Sequence, residues 1–512
     1  MKKKYMYLAV VALAIQLTSS CKDSLEVNPS GRITLDNYYK TEADAFAALV
    51  SVYDRFGFQA SGLYDKIAIM DVASDDHFAG GGSATDINDL QVVSNYSLSA
   101  NVGPQGYLWN RGYSGIFRAN TLLAKIADIP MAEAQKNRFV AETKTLRALF
   151  YFDLLRFFEN IPIIDGVVDP KDLYNVAQSN PSDVYTFIEK DLTEAIPNLP
   201  ATVVLAEGGR ITKGAAQATL GKVYLWQKKY SEAAEQLAIV NGSTPGQVNA
   251  TYGYKLINNF SDLWKPANKF NSESILEVTH SASSQGSWND AGAGEGNLLS
   301  IISGPRGYAT LKPGAPDYHT GYGFLIITKN LFDLIHYDPR NQATVANLDS
   351  LKSNGIANYQ NSYQNTGYFL EKFAGRVSTR TTVPSSVVDL NFGYNTYEIR
   401  LADTYLLEAE ALMSSNAAVG AGSRAYQLLN AVRARVGLSP VPVTLETIEK
   451  ERRLELAGEG HRWLDLIRWG KAAAVLGPLK GFVAGKHEVF PIPQNELNNT
   501  KIEQNKEWGG SK

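Results

Sequence analysis

The sequence predicts a mostly α-helical protein, a scaffold of paired helices interrupted by one long, loop-rich part with minor β-strands. Apolar residues recur at helical spacing in several segments, and these segments come in pairs along the chain. From about 241 to 398 these pairs are interrupted, and "HSASSQGSWNDAGAGEGNLLSIISGPRGYATLKPGAPDYHTGYGF" within the interruption is dominated by Gly, Ser, Asn, Asp and Pro, which disfavours helices. "SESILEVTH", also within 241–398, is typical of a strand. The composition is that of an ordinary globular protein, with 44% hydrophobic and 20% charged residues, and a formal net charge of −3 excludes the basic surface that nucleic acid requires.

The chain opens with the three regions of a secretory signal peptide, in the usual order. Lysines at positions 2–4 precede the apolar run Tyr5–Leu17, and small residues at 18–20 lead to Cys21, the single cysteine among 512 residues. The apolar run is shorter than the roughly 20 residues that a membrane-spanning helix needs. We therefore predict a signal peptide over 1–20 and lipid attachment at Cys21, with a plain secreted protein as the alternative. Residues 21–40 would form a polar tether, and a lipidated Cys21 leaves no thiol for a disulfide or a metal site.

Two segments in the first half of the chain predict amphipathic helices. In "RFVAETKTLRALFYFDLLRFFENIP" apolar residues form one stripe, and Pro162 lies just beyond the predicted helix end. In "NPSDVYTFIEKDLTEAIPNLP" Asn180 can cap a helix, and Pro181 suits its first turn. The apolar stripes consist of Leu146, Leu149, Phe150, Leu154 and Phe157 in the first segment and of Val184, Phe187, Ile188 and Leu192 in the second.

The segment "ITKGAAQATLGKVYLWQKKYSEAAEQLAIV" predicts two helices joined by a short turn. Small residues in the first helix would let a neighbour approach closely, and a polar break at 228–229 precedes a second helix, Ser231–Val240. A later pair, "RLADTYLLEAEALMSS" and "SRAYQLLNAVRARVG", has the same form. Such pairs resemble tetratricopeptide units, which stack because neither helix buries its apolar face alone. The small residues are Ala215, Ala216, Ala218 and Gly221.

The late block "IEKERRLELAGEGHRWLDLIRWG" combines dense charge with His461 and Glu459 beside two glycines. A catalytic acid and base are one interpretation of this block. We favour a structural one, because two charge pairs have the i,i+3 or i,i+4 spacing of ion pairs within a helix. Gly458 and Gly460 would mark a helix end and a restart. The two predicted ion pairs are Glu449–Arg453 and Arg452–Glu455.

Six blocks in a fixed order, behind the cysteine motif, resemble the SusD/RagB family of Bacteroidetes outer-membrane lipoproteins over essentially the full chain. They are "CKDSLEVNPSGRIT…YYKTEADAFAALVSVYD", "AETKTLRALFYFDLLRFFENIPII", "RLADTYLLEAEAL", "LNAVRARVGL", "ERRLELAGEGHRWLDLIRWG" and "FPIPQNELNNTKIEQN". Two places depart from the family pattern: Thr18 stands where the lipobox usually has leucine, and "QNKEW" stands where Asn-Pro-Gly-Tyr is usual.

The resemblance implies a non-enzymatic, surface-exposed lipoprotein, anchored in the outer membrane through Cys21, with four tetratricopeptide-like units. It would capture glycans and deliver them to a SusC-like, TonB-dependent transporter. Capture of peptides or another non-sugar nutrient by the same architecture is the alternative, and a glycoside hydrolase is a remote one. We place an N-terminal helical region at 41–245, a loop-rich ligand-binding region at 246–398 and a C-terminal helical region at 399–512.

The motifs of other chemistries are absent or incomplete. "GAGEGN" lacks the strand–turn–helix setting of a dinucleotide site, and the six histidines show no metal-binding spacing. We expect no cofactor. The acidic stretches Asp75–His77 and Asp86–Leu90 could lend oxygens to a structural Ca²⁺, although neither matches an EF-hand loop.

Exposed aromatic planes beside polar side chains are what a sugar-binding site needs, because sugars present apolar C–H faces and hydroxyl edges. Four stretches supply such groups: "SWND", "GPRGY", "DYHTGYGF" and "SDDHFAGGG". The alternative is that each aromatic anchors its loop to the scaffold. The candidate ligand-binding residues, with Trp288 as first choice, are Trp288, Asn289, Asp290, Arg306, Tyr308, Tyr318, Tyr322, Asp76, His77 and Phe78.

Overall fold

The computed structural model describes residues 38–59, 63–283, 288, 294–384 and 386–511. The predicted signal peptide, the lipidation site Cys21 and most of the tether lie outside the described residues, as do Asn289 and Asp290. Within the described ranges, no helix is both long and apolar enough to cross a membrane. The mostly α-helical class expected from the sequence is confirmed.

The first half of the chain is a layer of helices that pack against their neighbours in sequence. α1 begins after Thr41, whose side chain accepts a hydrogen bond from the backbone N–H of Asp44 and so caps the helix. α4 packs against both α1 and α5, which also contact each other, and α5 packs against α6. The helices are α1 Glu42–Phe56, α2 Lys66–Ala73, α3 Asn88–Ser94, α4 Gln105–Lys125, α5 Glu133–Phe158, α6 Pro181–Ala195, α7 Lys213–Trp226 and α8 Tyr230–Asn241.

The two stripes predicted from helical spacing are the core-facing sides of α5 and α6. All five apolar residues named on α5 are buried, and the helix ends four residues before Pro162. On α6 three of the four are buried and Phe187 is half-buried. The close approach predicted for α7 is present, because a Cβ added to Gly221 would lie 2.7 Å from Cγ of Leu237 on α8. Only a glycine therefore allows α7 and α8 to pack at this distance.

The helical layer resumes after the loop-rich part. α13 packs directly against α8, although about 160 residues of chain separate them. Asn241 at the end of α8 donates to Oε2 of Glu408 on α13 at 2.7 Å. The loop-rich part is therefore an insertion between two adjacent helices of one scaffold. The later helices are α13 Leu401–Ser414, α14 Arg424–Arg435, α15 Leu445–Glu455, α16 Arg462–Arg468, α17 Ala472–Lys480 and α18 Gln494–Leu497.

Among the described residues, the strands form four two-stranded antiparallel sheets: β1–β4, β2–β8, β3–β6 and β5–β7. The strand expected in "SESILEVTH" is β2, and its partner β8 leads directly into α13. Four short helices, α9–α12, also occur in this part, and α9 lies where we expected none. The elements are β1 His77–Gly80, β2 Ser274–Val278, α9 Leu299–Ile302, β3 Ala309–Thr310, β4 Phe324–Ile327, α10 Lys329–Ile335, α11 Asn341–Thr344, β5 Val345–Asn347, α12 Leu348–Ser353, β6 Ala357–Asn358, β7 Tyr368–Leu370 and β8 Thr396–Arg400.

The charged C-terminal block has a structural role, but the prediction that its charged residues pair within one helix is wrong. Arg453 pairs with Asp75 and Asp76, which precede β1. Arg452 pairs with Asp403 at 2.8 Å and with Asp465 at 2.7 Å. The predicted acidic partners pair elsewhere, Glu449 with Lys471 and Glu455 with Arg340, Arg400 and Arg435. Arg452 and Glu455 face the interior, where a charge needs close partners from other elements.

The predicted break in this block is confirmed. α15 ends at Glu455 and α16 begins at Arg462, and both glycines between them, Gly458 and Gly460, have positive φ. Glu459, one of the imagined catalytic groups, is buried and accepts from Arg400 at 2.8 Å and from Lys372 at 2.7 Å. The Glu459 carboxylate is therefore held by these two partners in the core.

Candidate functional site

The predicted site residues divide into a surface group and a buried group. Trp288 exposes 49% of its surface, and Arg306 and Tyr322 are half-buried near it. Asp76, His77 and Tyr318 are buried. Tyr308 and Phe78 are half-buried and pack against the small core around Tyr318.

The surface group is centred on two aromatic rings. The ring centroids of Trp288 and Tyr322 lie 6.5 Å apart, and their planes are inclined by 33°. We call this pair the aromatic platform. The half-exposed indole leaves apolar ring surface open to solvent, and such a surface can accept the C–H face of a sugar ring.

Asp389 fixes the polar edge of the platform. The Tyr322 hydroxyl donates to Oδ2 of Asp389 at 3.2 Å, and Nε2 of His319 lies 2.9 Å from Oδ1. Burial, together with the nearby Asp389 carboxylate, raises the pKa of Tyr322, so the hydroxyl stays protonated and remains a donor. The imidazole and the carboxylate thus place hydrogen-bonding groups beside the aromatic faces.

Arg306 borders the platform on another side. Its Nη1 donates to the backbone carbonyl of Tyr322 at 3.4 Å and lies 4.0 Å from Oδ2 of Asp86. A Cβ added to Gly82 would lie 3.2 Å from Arg306 Nη2, so the glycine leaves room for the guanidinium. Asp86 is itself held by the backbone N–H of Gly82 at 2.7 Å.

Pairing of β1 with β4 brings the glycine run of "SDDHFAGGG" to the side of the platform that Arg306 borders, since Gly81 N–H donates to the Gly323 carbonyl at 2.7 Å. Asp76 and His77 of the same motif point elsewhere. Asp76 accepts from Arg453 at 2.7 Å, and His77 is fully buried. Burial lowers the pKa of His77 to about 3, so its imidazole is neutral. As placed, neither side chain reaches a ligand at the surface.

The remaining tyrosine candidates anchor the loop. The Tyr318 hydroxyl donates to Oε2 of Glu371 at 2.5 Å, and the Arg376 guanidinium lies 4.1 Å from the centre of its ring. The Tyr308 hydroxyl donates to the Pro316 carbonyl at 2.7 Å, which closes the loop on itself.

Three residues of the site were missed by sequence reasoning: His319, Asp389 and Tyr363. Tyr363 is 39% exposed, and its N–H donates to the Gly81 carbonyl at 2.8 Å. His319 could have been found, because successive side chains of an extended segment point to opposite sides, so a buried Tyr318 places its neighbour on the other side. For Asp389, about 70 residues further along the chain, the sequence carries no signal.

The suggested Ca²⁺ ligands have other partners. Asp75 pairs with Arg462 at 2.8 Å and Asp76 with Arg453. Across the part of the chain that the structure describes, no three His, Cys, Asp or Glu side chains come together in a way that could hold a metal ion.

Comparisons with known proteins agree with this architecture. A family model described as the SusD family matches residues 341–508, and one described as "Starch-binding associating with outer membrane" matches residues 40–225. A laminarin binding SusD-like protein of known structure is 49% identical, with a TM-score of 0.87; the match covers 91% of this chain and 99% of that one.

Two further relatives are more distant. Surface glycan-binding protein A from Bacteroides thetaiotaomicron, solved in complex with laminarihexaose, is 27% identical with a TM-score of 0.79, and the match covers 91% of this chain and 100% of that one. A SusD-like protein of Bacteroides ovatus is 27% identical over 503 residues, which are 92% of this chain and 83% of that protein.

Proposed function

The chain belongs to the SusD family, and from this premise we propose that it is a non-catalytic lipoprotein of the outer membrane that captures glycans at the aromatic platform. Laminarin-type glucans are the first candidate ligands. The captured glycan would pass to a SusC-like, TonB-dependent transporter, and the lipid on Cys21 would anchor the protein at the cell surface.

The aromatic platform carries the proposal. The Trp288–Tyr322 pair offers apolar ring surface, while His319, Asp389 and Arg306 offer donors and acceptors beside it. This is the complement of a pyranose ring, which is apolar on its faces and hydroxylated on its edges. The similarity to a laminarin binding SusD-like protein, at 49% identity over nearly the whole chain, supports a glucan as the ligand.

The proposal predicts that Trp288→Ala weakens glucan binding about tenfold. A sugar stacked on the exposed ring would remove about 60 Å² from water, a part of the roughly 150–250 Å² that a large aromatic side chain can bury. At about 25 cal/mol per Å², this area is worth ~1.5 kcal/mol, or roughly a factor of ten in Kd.

Calorimetry on residues 22–512 tests this, with laminarihexaose, maltohexaose, cellohexaose and a peptide digest as ligands. Tyr337→Ala is the matched control, because Tyr337 is 91% exposed and lies outside the platform. Equal affinity of wild type and Trp288→Ala for every glycan would reject the platform. Heat from the digest alone would reject glycan capture in favour of peptides, and steady heat after each injection would reject a non-catalytic role.

The transporter partnership has its own test. Outer membranes extracted in a gentle detergent should yield the protein together with a β-barrel protein. If the protein runs alone after such extraction, delivery to a transporter is rejected while capture at the platform stands.

A further inference from the structure

A cavity of about 430 Å³ lies between α4, the loop that follows α5 and the C-terminal segment that contains α18. Its volume is within the roughly 300–1,000 Å³ typical of pockets for small organic ligands. Among the described residues, its lining shares none with the aromatic platform. The cavity is therefore a place where a ligand other than the captured glycan could bind.

The walls of the cavity are mostly apolar, and several of them are aromatic. Trp109 and Tyr113 of α4 pack together, with ring centroids 4.8 Å apart. Three further lining residues, Phe117, Leu173 and Tyr174, are each at least half exposed. Large apolar side chains seldom gather at one place on a protein surface unless they meet a ligand or a partner. Walls of this kind favour a ligand with an apolar or aromatic body.

One charged side chain lines the cavity among the described residues, that of Glu496 in α18. It is half-buried and forms no ion pair within the described part of the chain. Burial raises the pKa of Glu496, and a hydrogen bond from the Trp109 side chain offsets part of this rise. The carboxylate charge also acts on the Tyr113 hydroxyl. Glu496 therefore faces the two rings of the cavity wall, with a neutral donor and no cation beside it.

The unpaired carboxylate determines the charge of a suitable ligand. An anion would be repelled by it, and an uncharged apolar ligand would remove it further from water without giving it a partner. A sugar would bring several hydroxyls into a cavity whose polar side chains are few, and two of these are engaged. The Tyr113 hydroxyl donates to the Pro162 carbonyl at 2.9 Å, and the Thr500 hydroxyl donates to the Glu496 carbonyl at 2.6 Å. A cation meets both needs, because it pairs with a carboxylate and is attracted to aromatic faces.

We propose that this cavity binds an organic monocation, an ammonium or guanidinium group on an apolar or aromatic body, with the charge against Glu496 and the body against Tyr113 and Tyr174. The site goes beyond the proposed function, since it depends neither on the platform nor on the glycan. A free amine and the basic side chain of a peptide share this chemistry.

The test is an NMR titration of residues 22–512 at pH 7.5 with 2-phenylethylamine, which is a cation at this pH as lysine is, and with its uncharged counterpart 2-phenylethanol. Wild type should bind the amine about tenfold more tightly, the gain expected for a hydrogen bond between charged groups. Glu496→Gln should abolish this difference and leave the affinity for the alcohol unchanged. Glu507→Gln, which removes an exposed carboxylate of the C-terminal segment outside the cavity, is the matched control.

Two further arms test the apolar wall and the source of the cation. Tyr174→Ala, at an exposed position, should weaken the binding of both ligands several-fold, because it removes apolar surface that either would cover. N-acetyllysine methylamide presents the lysine side chain as a peptide does. Tighter binding of this compound than of 2-phenylethylamine would identify a peptide side chain as the ligand, and the reverse order would identify a free amine.

The outcomes separate this site from the platform. A preference for the amine that disappears in Glu496→Gln, but persists in Glu507→Gln and in Trp288→Ala, supports the cation site even if glycan binding proves independent of Trp288. Equal binding of amine and alcohol by wild type, or a preference that Glu496→Gln retains, overturns the site. Amine binding that vanishes with Trp288→Ala would place the amine at the platform, and no amine binding at all would leave the cavity to water; either result overturns the site and leaves glycan capture intact.

Discussion

His77 should contribute to the loss of stability in mild acid, and replacing it should remove that contribution. The residue lies in β1 with no exposed surface, and neither ring nitrogen has a hydrogen-bond partner among the described residues. Burial, the largest cause, and the nearby Lys480 side chain lower the pKa of the imidazole to about 3. In the unfolded chain the same group titrates near pH 6.5, at about the value of an unperturbed histidine.

The difference between these two pKa values sets the sign and the size of the change in the free energy of unfolding with pH. Below about pH 6.5 the His77 imidazole binds a proton in the unfolded chain but not in the folded chain. The free energy of unfolding therefore falls as the pH falls, until the imidazole is protonated in the folded chain as well. The slope is ~1.4 kcal/mol per pH unit for one group. From pH 7.5 to pH 5.0, His77 alone should therefore cost about 2 kcal/mol of stability.

Urea denaturation at pH 7.5 and pH 5.0 measures this cost. Wild type loses stability through all its titrating groups, and His77→Leu should lose about 2 kcal/mol less than wild type over the same interval. The absolute stability of the variant depends on how leucine packs, but the change between the two pH values does not. His336→Leu, which removes a partly exposed imidazole, is the control. If wild type and His77→Leu lose the same stability, the imidazole is protonated in the folded protein, and the reasoning from its burial is wrong.

Two further substitutions test the buried charges below the candidate site and the role of Arg306 beside the platform. Glu455→Gln removes the buried carboxylate that accepts from Arg340, Arg400 and Arg435. Because uncompensated cations then remain in the core, the free energy of unfolding measured in urea should fall by about 3–5 kcal/mol. A loss below about 1 kcal/mol would contradict this reasoning. Gly82→Ala places a Cβ 3.2 Å from Arg306 Nη2 and should weaken laminarihexaose binding several-fold in calorimetry without unfolding the protein. Gly106→Ala, at an exposed position of α4 with open space around it, is its control, and equal affinities of the two variants would show that Arg306 does not contact the glycan.

The scaffold could be predicted from the sequence because its signals are local. The stripe on α5 repeats within one segment, and the close packing at Gly221 involves two helices joined by a three-residue turn. The ion pairs of α15 could not be predicted, because the partners of Arg452 and Arg453 come from α13, from α16 and from the residues before β1. Spacing along one helix indicates which charges could meet, but burial against other elements decides which of them do.

The same distinction applies to the site. Composition and aromatic residues predict a site within the loop-rich part, and two of the residues named there, Trp288 and Tyr322, lie side by side. Asp389, which orients Tyr322 and His319, arrives from a distant loop whose position depends on the whole insertion. Asp76 and His77 share a motif with the glycines beside Arg306, yet only Gly82 of that run is exposed, and those two side chains lie in the core.

The buried charges of the C-terminal block explain how a loop-rich insertion can support a preformed platform. Arg400, at the end of β8, bonds Glu273 beside the start of β2 at 2.9 Å and also bonds Glu455 and Glu459. β2, inside the insertion, and β8, at its exit, are thereby fixed to each other and to the C-terminal helices. Ordering a mobile loop on binding would cost free energy that a held loop does not lose. The charge density that could suggest catalysis in this block is thus better explained as the support that keeps the loops of the insertion in place.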